Sequence, residues 1–182
     1  MVPDMDEFWV FGYGSLMWNP GFPYEERQLA RSHGYRRALC VRSWVHRGTE
    51  ASPGLVLGLD HGGSCLGAAF RIAPDNREAV VAYLRERELV THVYKERQLS
   101  VVLADRRRVS ALSYVIDRAH VQYAGALAVE EAAHVVASAV GRSGPNIDYV
   151  LNTVSHMREM GIRDRWLEDV AARARQIAGP SG

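Results

Sequence analysis

Two segments of the 182-residue chain carry residue types and spacings suited to chemistry. The first is Gly12-Tyr13-Gly14-Ser15-Leu16, which follows the apolar-aromatic run Phe8 to Phe11. Glycines at the end of a strand let backbone N–H groups converge on an anion or a developing oxyanion. Met17 stands where a dinucleotide fingerprint has its third glycine, and no Gly-Lys-Ser/Thr follows as in a P-loop. Ser15 is not framed as Gly-x-Ser-x-Gly, the elbow that presents a nucleophilic serine. On composition the segment reads equally as a tight turn or as a ligand loop.

The second is Glu88. On a helix turning about 100° per residue, Val81 lies a heptad before it and Leu84 one turn before it. Glu88 therefore extends an apolar stripe, Glu86 points to nearly the opposite side, and Arg85 and Arg87 lie toward the flanks. A carboxylate on a buried face is costly unless it is paired or protonated. Desolvation raises its pKa toward neutrality, the condition a general acid/base needs. The alternative is a helix-end glutamate in a salt bridge with an arginine.

Little else is arranged for catalysis. The histidines His33, His46, His61, His92, His120, His134 and His156 are scattered, with no His-x-His or His-Glu-x-x-His pattern, so no metal is expected. Cys40 and Cys65 form no Cys-x-x-Cys pair and fall in strand candidates, which favours packing over nucleophilic chemistry. Lys95 is the only lysine, which all but removes lysine-base and Schiff-base chemistry. Arg106 to Arg108 read as a solvated cluster at a hairpin tip, and Trp9, Trp18 and Trp44 as core or pocket walls. With 22 basic and 21 acidic residues the net charge is +1, so no bulk field draws nucleic acid or an anionic membrane.

Positioning these residues falls to elements that the pattern indicates in outline. Strands are expected over Phe8–Phe11, Tyr35–Ser43, Leu55–Leu59, Cys65–Ile72, Gln98–Leu103 and Val109–Ile116. Asp60-His61-Gly62-Gly63 and Asp105-Arg106-Arg107-Arg108 look like hairpin turns. Pro74-Asp75-Asn76 opens a helix to about Glu88. From Ala128 the period is helical, with helices over Ala128–Val140, Ile147–Met160 and Arg165–Ile177; Gly141 is placed to end the first and Asn146 to cap the second. Strands first and helices last make an α+β fold, with short strands around one helix able to close a small barrel. At about 150 residues per domain, the length suggests a single domain over residues 1–178 and a disordered tail at 179–182. A 47% hydrophobic, 24% charged composition excludes a disordered chain, a coiled coil and a disulfide miniprotein. The acidic opening Met1 to Glu7, the few thiols and the absence of an apolar run near the roughly 20 residues of a membrane span point to the cytoplasm.

Longer stretches resemble one family. Trp9-Val10-Phe11-Gly12-Tyr13-Gly14-Ser15-Leu16-Met17-Trp18-Asn19-Pro20-Gly21-Phe22 is similar to the opening signature of ChaC-type γ-glutamylcyclotransferases. Further matches follow in order: Arg47-Gly48-Thr49, Pro53-Gly54-Leu55-Val56-Leu57-Gly58-Leu59, Tyr83-Leu84-Arg85-Glu86-Arg87-Glu88-Leu89-Val90-Thr91, Gln122-Tyr123-Ala124-Gly125 and Gly141-Arg142-Ser143-Gly144-Pro145-Asn146. The resemblance covers nearly the whole chain. It departs at His92 and Lys95-Glu96, where the family favours a small residue and then Arg-Pro; this bears on the loop beyond the helix and on substrate fit.

The resemblance implies a small mixed β-barrel of the γ-glutamylcyclotransferase type, with an embedded catalytic helix and C-terminal helices. It implies cleavage of glutathione, without cofactor, to 5-oxoproline and cysteinylglycine. Tyr13, Gly14, Ser15 and Leu16 would hold the γ-glutamyl group, and the catalytic glutamate falls on Glu88, which the helical stripe singles out independently. Arg47 and Tyr123 join the substrate-binding set; whether Tyr123, Arg142 and Asn146 touch substrate or brace the pocket stays open. Other γ-glutamyl peptides or amines are the alternative substrates, and a non-catalytic γ-glutamyl-binding module is the alternative role. No nucleic-acid or membrane partner is implied, and nothing sets the oligomeric state. Ring closure by the substrate's own amine needs no protein thiolate, so folded Cys40→Ser and Cys65→Ser variants should keep their turnover of glutathione. Lost turnover in a folded variant would point to covalent catalysis.

Overall fold

The apolar run at the start forms β1 (Phe8–Gly12), all of whose residues are buried. With β2 (Glu26–Ser43), β3 (Gly54–Ile72), β4 (Tyr94–Leu103) and β5 (Arg108–Ile116) it closes a barrel in the order β1-β3-β2-β4-β5. β1 pairs antiparallel with β3, from Phe8↔Ile72 to Gly12↔Ala68, and parallel with β5 at Trp9↔Ala111 and Val10↔Leu112. A strand flanked on both edges and covered on both faces reads as an unbroken apolar run, as Phe8 to Phe11 does. Where the parallel ladder stops, the Ser113 hydroxyl donates to the Phe11 carbonyl at 2.9 Å. That side chain satisfies a buried acceptor as the chain leaves the barrel. The computed structural model describes residues 7–179, so the expected tail lies outside the described residues from Pro180.

The expected hairpin at Asp60-His61-Gly62-Gly63 is absent: both flanks belong to one strand, β3. Gly62 and Gly63 have φ of +98° and +70°. Left-handed glycines inside a strand bulge and bend it without reversing it. The segment after them continues onward to pair with β1. The second hairpin is present, with β4 and β5 paired from Tyr94↔Ile116 to Val102↔Arg108, four residues more of β4 than expected.

Pro74–Asn76 makes a 3-10 turn that leads into α1 (Arg77–Glu88). Proline fixes φ near its helical value and lacks the N–H that a first turn leaves unpaired, so it suits this start. The buried residues of α1 are Val80 and Leu84, with Val81 only half-buried. The stripe therefore runs Val80, Leu84, Glu88 at four-residue spacing, one position earlier than expected at its start and unchanged at Glu88.

Two compact units divide the chain: Met1–Arg37 with Leu59–Asp117, and Ala38–Gly58 with Arg118–Gly182. The second unit holds α2 (Val129–Ser138), α3 (Asn146–Glu159) and α4 (Arg165–Ala178). Ala132 and Ala133 on α2 and Ala171 and Ala174 on α4 are buried, so small side chains let the helices approach closely. Asp164 caps α4, accepting from the Leu167 N–H at 3.0 Å. Gly161, at φ +76°, ends the preceding helix.

Two expectations for the 141–146 segment are corrected. α2 stops at Ser138, because Ala139 is extended and Val140–Gly141 (β6) pairs with Gly144–Pro145 (β7). Gly141 is needed there for close approach: a Cβ on it would fall on the backbone of Val45, His46 and Gly48. Asn146 is the first residue of α3 and makes no capping bond. Its side chain is fully buried, and its amide accepts from the Leu55 N–H at 2.8 Å and donates to the Leu55 carbonyl at 2.9 Å. One turn on, the Tyr149 hydroxyl accepts from the Leu57 N–H at 3.0 Å. Two α3 side chains thus take the place of a strand along the start of β3. Asn146→Ala should destabilise the fold by about 2–4 kcal/mol in urea titrations, since it orphans a buried donor and acceptor, whereas Tyr149→Phe should cost about 1 kcal/mol. Equal, small losses would contradict this role.

Candidate active site

Beyond Gly12 the chain turns sharply. Gly14 has φ −134° and ψ −133°, and Ser15–Met17 form a 3-10 turn closed by the Met17 N–H donating to the Gly14 carbonyl at 2.9 Å. Tyr13 and Leu16 are buried, Gly14 is half-buried and Ser15 is exposed. The turn is braced from within. Arg37, itself only 8% exposed, donates from Nε to the Tyr13 carbonyl at 2.6 Å and from Nη2 to the Leu66 carbonyl at 2.7 Å. A charged fork spanning the Tyr13 carbonyl and β3 fixes both, because charge-assisted bonds are the stronger and shorter kind.

Glu88 is the last residue of α1, and its side chain is 19% exposed. Burial pushes its carboxyl above the usual carboxylate value, and the Arg87 guanidinium, with Nε 3.7 Å from Oε1, opposes that as the lesser effect. Glu86 is exposed on the other side of the helix, as the spacing required.

Arg87 also reaches the glycine turn. Its Nη2 donates to the Ser15 hydroxyl at 2.8 Å, and Nη1 to the carbonyls of Asn19 and Pro20 at 2.9 and 3.3 Å and to the Tyr83 hydroxyl at 3.0 Å. Gly21 makes this contact available. It has φ +74°, and a Cβ there would occupy the place of the Tyr83 hydroxyl. The end of α1 and the turn after β1 are therefore tied by one side chain.

A second network flanks the same helix. Arg85 donates from Nε and Nη2 to the two carboxylate oxygens of Glu96 on β4, both at 3.0 Å, and the Tyr114 hydroxyl on β5 donates to Glu96 at 3.0 Å. Arg85 and Tyr114 hold the Glu96 carboxyl below the usual range. Burial first, and then Glu96, push the Tyr114 phenol well up, so it stays a hydroxyl donor at any working pH. Glu96 and Lys95, the departures from the family pattern, thus lie on β4, where Lys95 pairs with Asp117 at 3.4 Å; His92 sits before them at φ +58°.

Arg47 and Tyr123 belong to the second unit. Arg47 donates to the Pro145 carbonyl at 3.2 Å, and its guanidinium lies 5.7 Å from the centre of the Tyr149 ring. Tyr123 bridges to Val41 beside β2, with the Ala124 N–H donating to the Cys40 carbonyl at 2.7 Å. Arg142 donates its N–H to the Val45 carbonyl, and Asn146 is occupied by the Leu55 backbone, a bracing role. Among the described residues no group of three His, Cys, Asp or Glu side chains is placed to hold a metal, and no helix is long and apolar enough to cross a membrane.

The profile of ChaC-like proteins matches residues 8–177. The chain belongs to the ChaC-like family. Within it, the chain is 32% identical over 175 residues to a glutathione-specific γ-glutamylcyclotransferase of Escherichia coli, covering 96% of this chain and 76% of that one. It is 32% identical to γ-glutamylcyclotransferase 2-3 of Arabidopsis thaliana, covering 95% and 91%. The fold is similar to a crystal structure described as a yeast γ-glutamyl cyclotransferase specific to glutathione, with TM-score 0.82 at 23% identity over 95% of this chain and all of that one. The α+β barrel expected from the resemblance is thus the family's fold.

Arg87, Arg37 and Tyr114 escaped the sequence reading. Arg87 sits on the flank of the helical stripe, where arginines are ordinarily solvated, and its partners are distant in the chain. Only its position beside a carboxylate on the buried stripe offered a signal.

A folded-state pKa raised above the unfolded value contributes stability that is complete below the unfolded value and lost as pH rises through the folded one. Glu88 should therefore titrate above 4.5, its ordinary value, when followed by carboxyl NMR. Glu88→Gln should raise Tm at neutral pH, by an increment that shrinks as pH falls through the Glu88 midpoint. A midpoint at or below the ordinary value would contradict the desolvation of this carboxyl.

Proposed function

We propose that the chain is a glutathione-specific γ-glutamylcyclotransferase, releasing 5-oxoproline and cysteinylglycine without a cofactor. The observation that carries this reading is a largely desolvated carboxylate, Glu88, joined through Arg87 to the exposed Ser15 turn. In support, relatives from Escherichia coli, rat and human are named for that activity. Cys40 and Cys65 are buried and not joined in a disulfide, which suits a reducing compartment such as the cytoplasm.

The chemistry asks for little. The α-amine of the γ-glutamyl group attacks its own γ-carbonyl, a new C–N bond closes the ring, and the amide C–N bond to cysteine breaks. Folding the substrate into that geometry contributes most; well-oriented intramolecular reactions gain about 7–11 kcal/mol. Glu88 accepts the proton that the amine must lose and returns it to the departing cysteine nitrogen, so one carboxylate serves both steps. A raised pKa matches it to both roles, because a strongly acidic carboxylate would make a poor base. Tyr13, Gly14, Ser15 and Leu16 hold the γ-glutamyl group, with N–H groups near Gly14 and Ser15 serving its carboxylate or the carbonyl oxygen. Arg47 and Tyr123 enter as substrate-binding residues through their motif matches.

Purified protein should convert glutathione to equal amounts of 5-oxoproline and cysteinylglycine. Glu88→Gln should lower turnover by about 10²–10⁴-fold or more while leaving much of the substrate binding, because glutamine keeps the size but cannot carry the proton. Glu86→Gln should change little. Turnover of γ-glutamyl-alanine in place of glutathione would move the substrate assignment, and activity lost in Glu86→Gln but kept in Glu88→Gln would overturn the site.

A further inference from the structure

We propose that Arg87 is a positioning residue that sets the Ser15 turn and the Glu88 carboxylate relative to one another, so that the γ-glutamyl-binding loop and the acid/base are held by one guanidinium. The inference rests on the reading of Glu88 and the Ser15 turn as the active site.

The geometry is that of a planar fork used on every side. Nε faces Glu88 at 3.7 Å, Nη2 holds the Ser15 hydroxyl at 2.8 Å, and Nη1 holds the Asn19 and Pro20 carbonyls and the Tyr83 hydroxyl. The Arg87 side chain is 23% exposed; its bonds to Pro20 and Tyr83 are part-buried, and those to Ser15 and Asn19 face solvent. Lysine has a single ammonium and cannot reproduce directions fixed by a rigid plane. Arg87 touches neither Glu88 alone nor the turn alone. Removing it frees the turn to shift against the carboxylate, and a misplacement of about 1 Å at a reacting centre costs about 10²-fold.

The same residue carries a charge that favours ionised Glu88. Tyr114 of β5, Glu96 of β4 and Arg85 and Tyr83 of α1 are further titratable or charged groups around this part of the helix; the bonds joining Arg85, Glu96 and Tyr114 do not involve Arg87, whereas the Tyr83 hydroxyl accepts from it. Loss of the Arg87 charge raises the Glu88 pKa further, which moves the acidic limb of kcat/KM to higher pH.

The test compares Arg87→Ala, Arg87→Lys and Glu88→Gln for kcat, KM with glutathione and pH profile, with thermal unfolding alongside. Arg87→Ala is expected to lose about 10²-fold in kcat/KM, to shift its acidic limb upward, and to recover part of its activity with added guanidinium. Arg87→Lys is expected to keep the acidic limb near its original pH while KM rises; it carries the test if Arg87→Ala does not fold. Unchanged kcat/KM and an unmoved limb in Arg87→Ala, or wild-type KM in Arg87→Lys, with Glu88→Gln inactive, would overturn the inference and leave the function standing. Activity surviving in Glu88→Gln would overturn both.

Discussion

A carboxylate that must exchange protons has to be kept mostly out of water and yet remain in reach of substrate. That constraint organises the first unit. As the proposed acid/base, Glu88 would meet it by closing α1, where the helix still buries its stripe and the chain is about to turn away. Val80 and Leu84 bury the face on which Glu88 lies. The Arg85 fork and the Tyr114 hydroxyl, both on Glu96, fix α1 to β4 and β5 without neutralising Glu88 itself. A direct bidentate arginine on Glu88 would have stabilised the anion and lowered its pKa. The 3.7 Å separation from Arg87 leaves desolvation as the larger effect.

Elsewhere the fold depends on side chains that complete backbone hydrogen bonding where a ladder runs out. Ser113 does so for Phe11 as β1 ends, Arg37 for Tyr13 in the turn that follows, and Asn146 and Tyr149 for Leu55 and Leu57 at the start of β3. Each lies where the chain leaves regular structure near a residue of interest. An irregular segment that is also partly buried needs such partners, because an unpaired backbone group inside costs about as much as a lost hydrogen bond. Rigid turns of this kind hold a binding loop more accurately than a solvated loop would.

Much of this was legible in residue order. The helical stripe singled out Glu88 and set Glu86 apart, because periodicity decides which side chains share a face whatever packs against them. Glycine and aromatic residues around Gly12 to Leu16 marked a turn at a strand end. Legibility failed where a residue's role is set by partners far along the chain. Asn146 has the composition of a helix cap, yet its amide was claimed by a strand 91 positions away. Gly62-Gly63 has the composition of a hairpin, yet both flanks found other partners and the strand ran on. Local preference proposes and tertiary pairing selects, so the errors fell at sites of long-range backbone bonding.

The Arg87 fork has a consequence for how the loop can drift over evolutionary time. Two of its acceptors are main-chain carbonyls, those of Asn19 and Pro20, and every amino acid offers a carbonyl there. Side chains at these two positions are therefore free to vary without loosening the grip. Gly21 has no such freedom, since any Cβ would displace the Tyr83 hydroxyl from the same guanidinium. Neutral variation and sharp intolerance thus sit one residue apart, so this turn can change its side chains at Asn19 and Pro20 while Gly21 stays fixed.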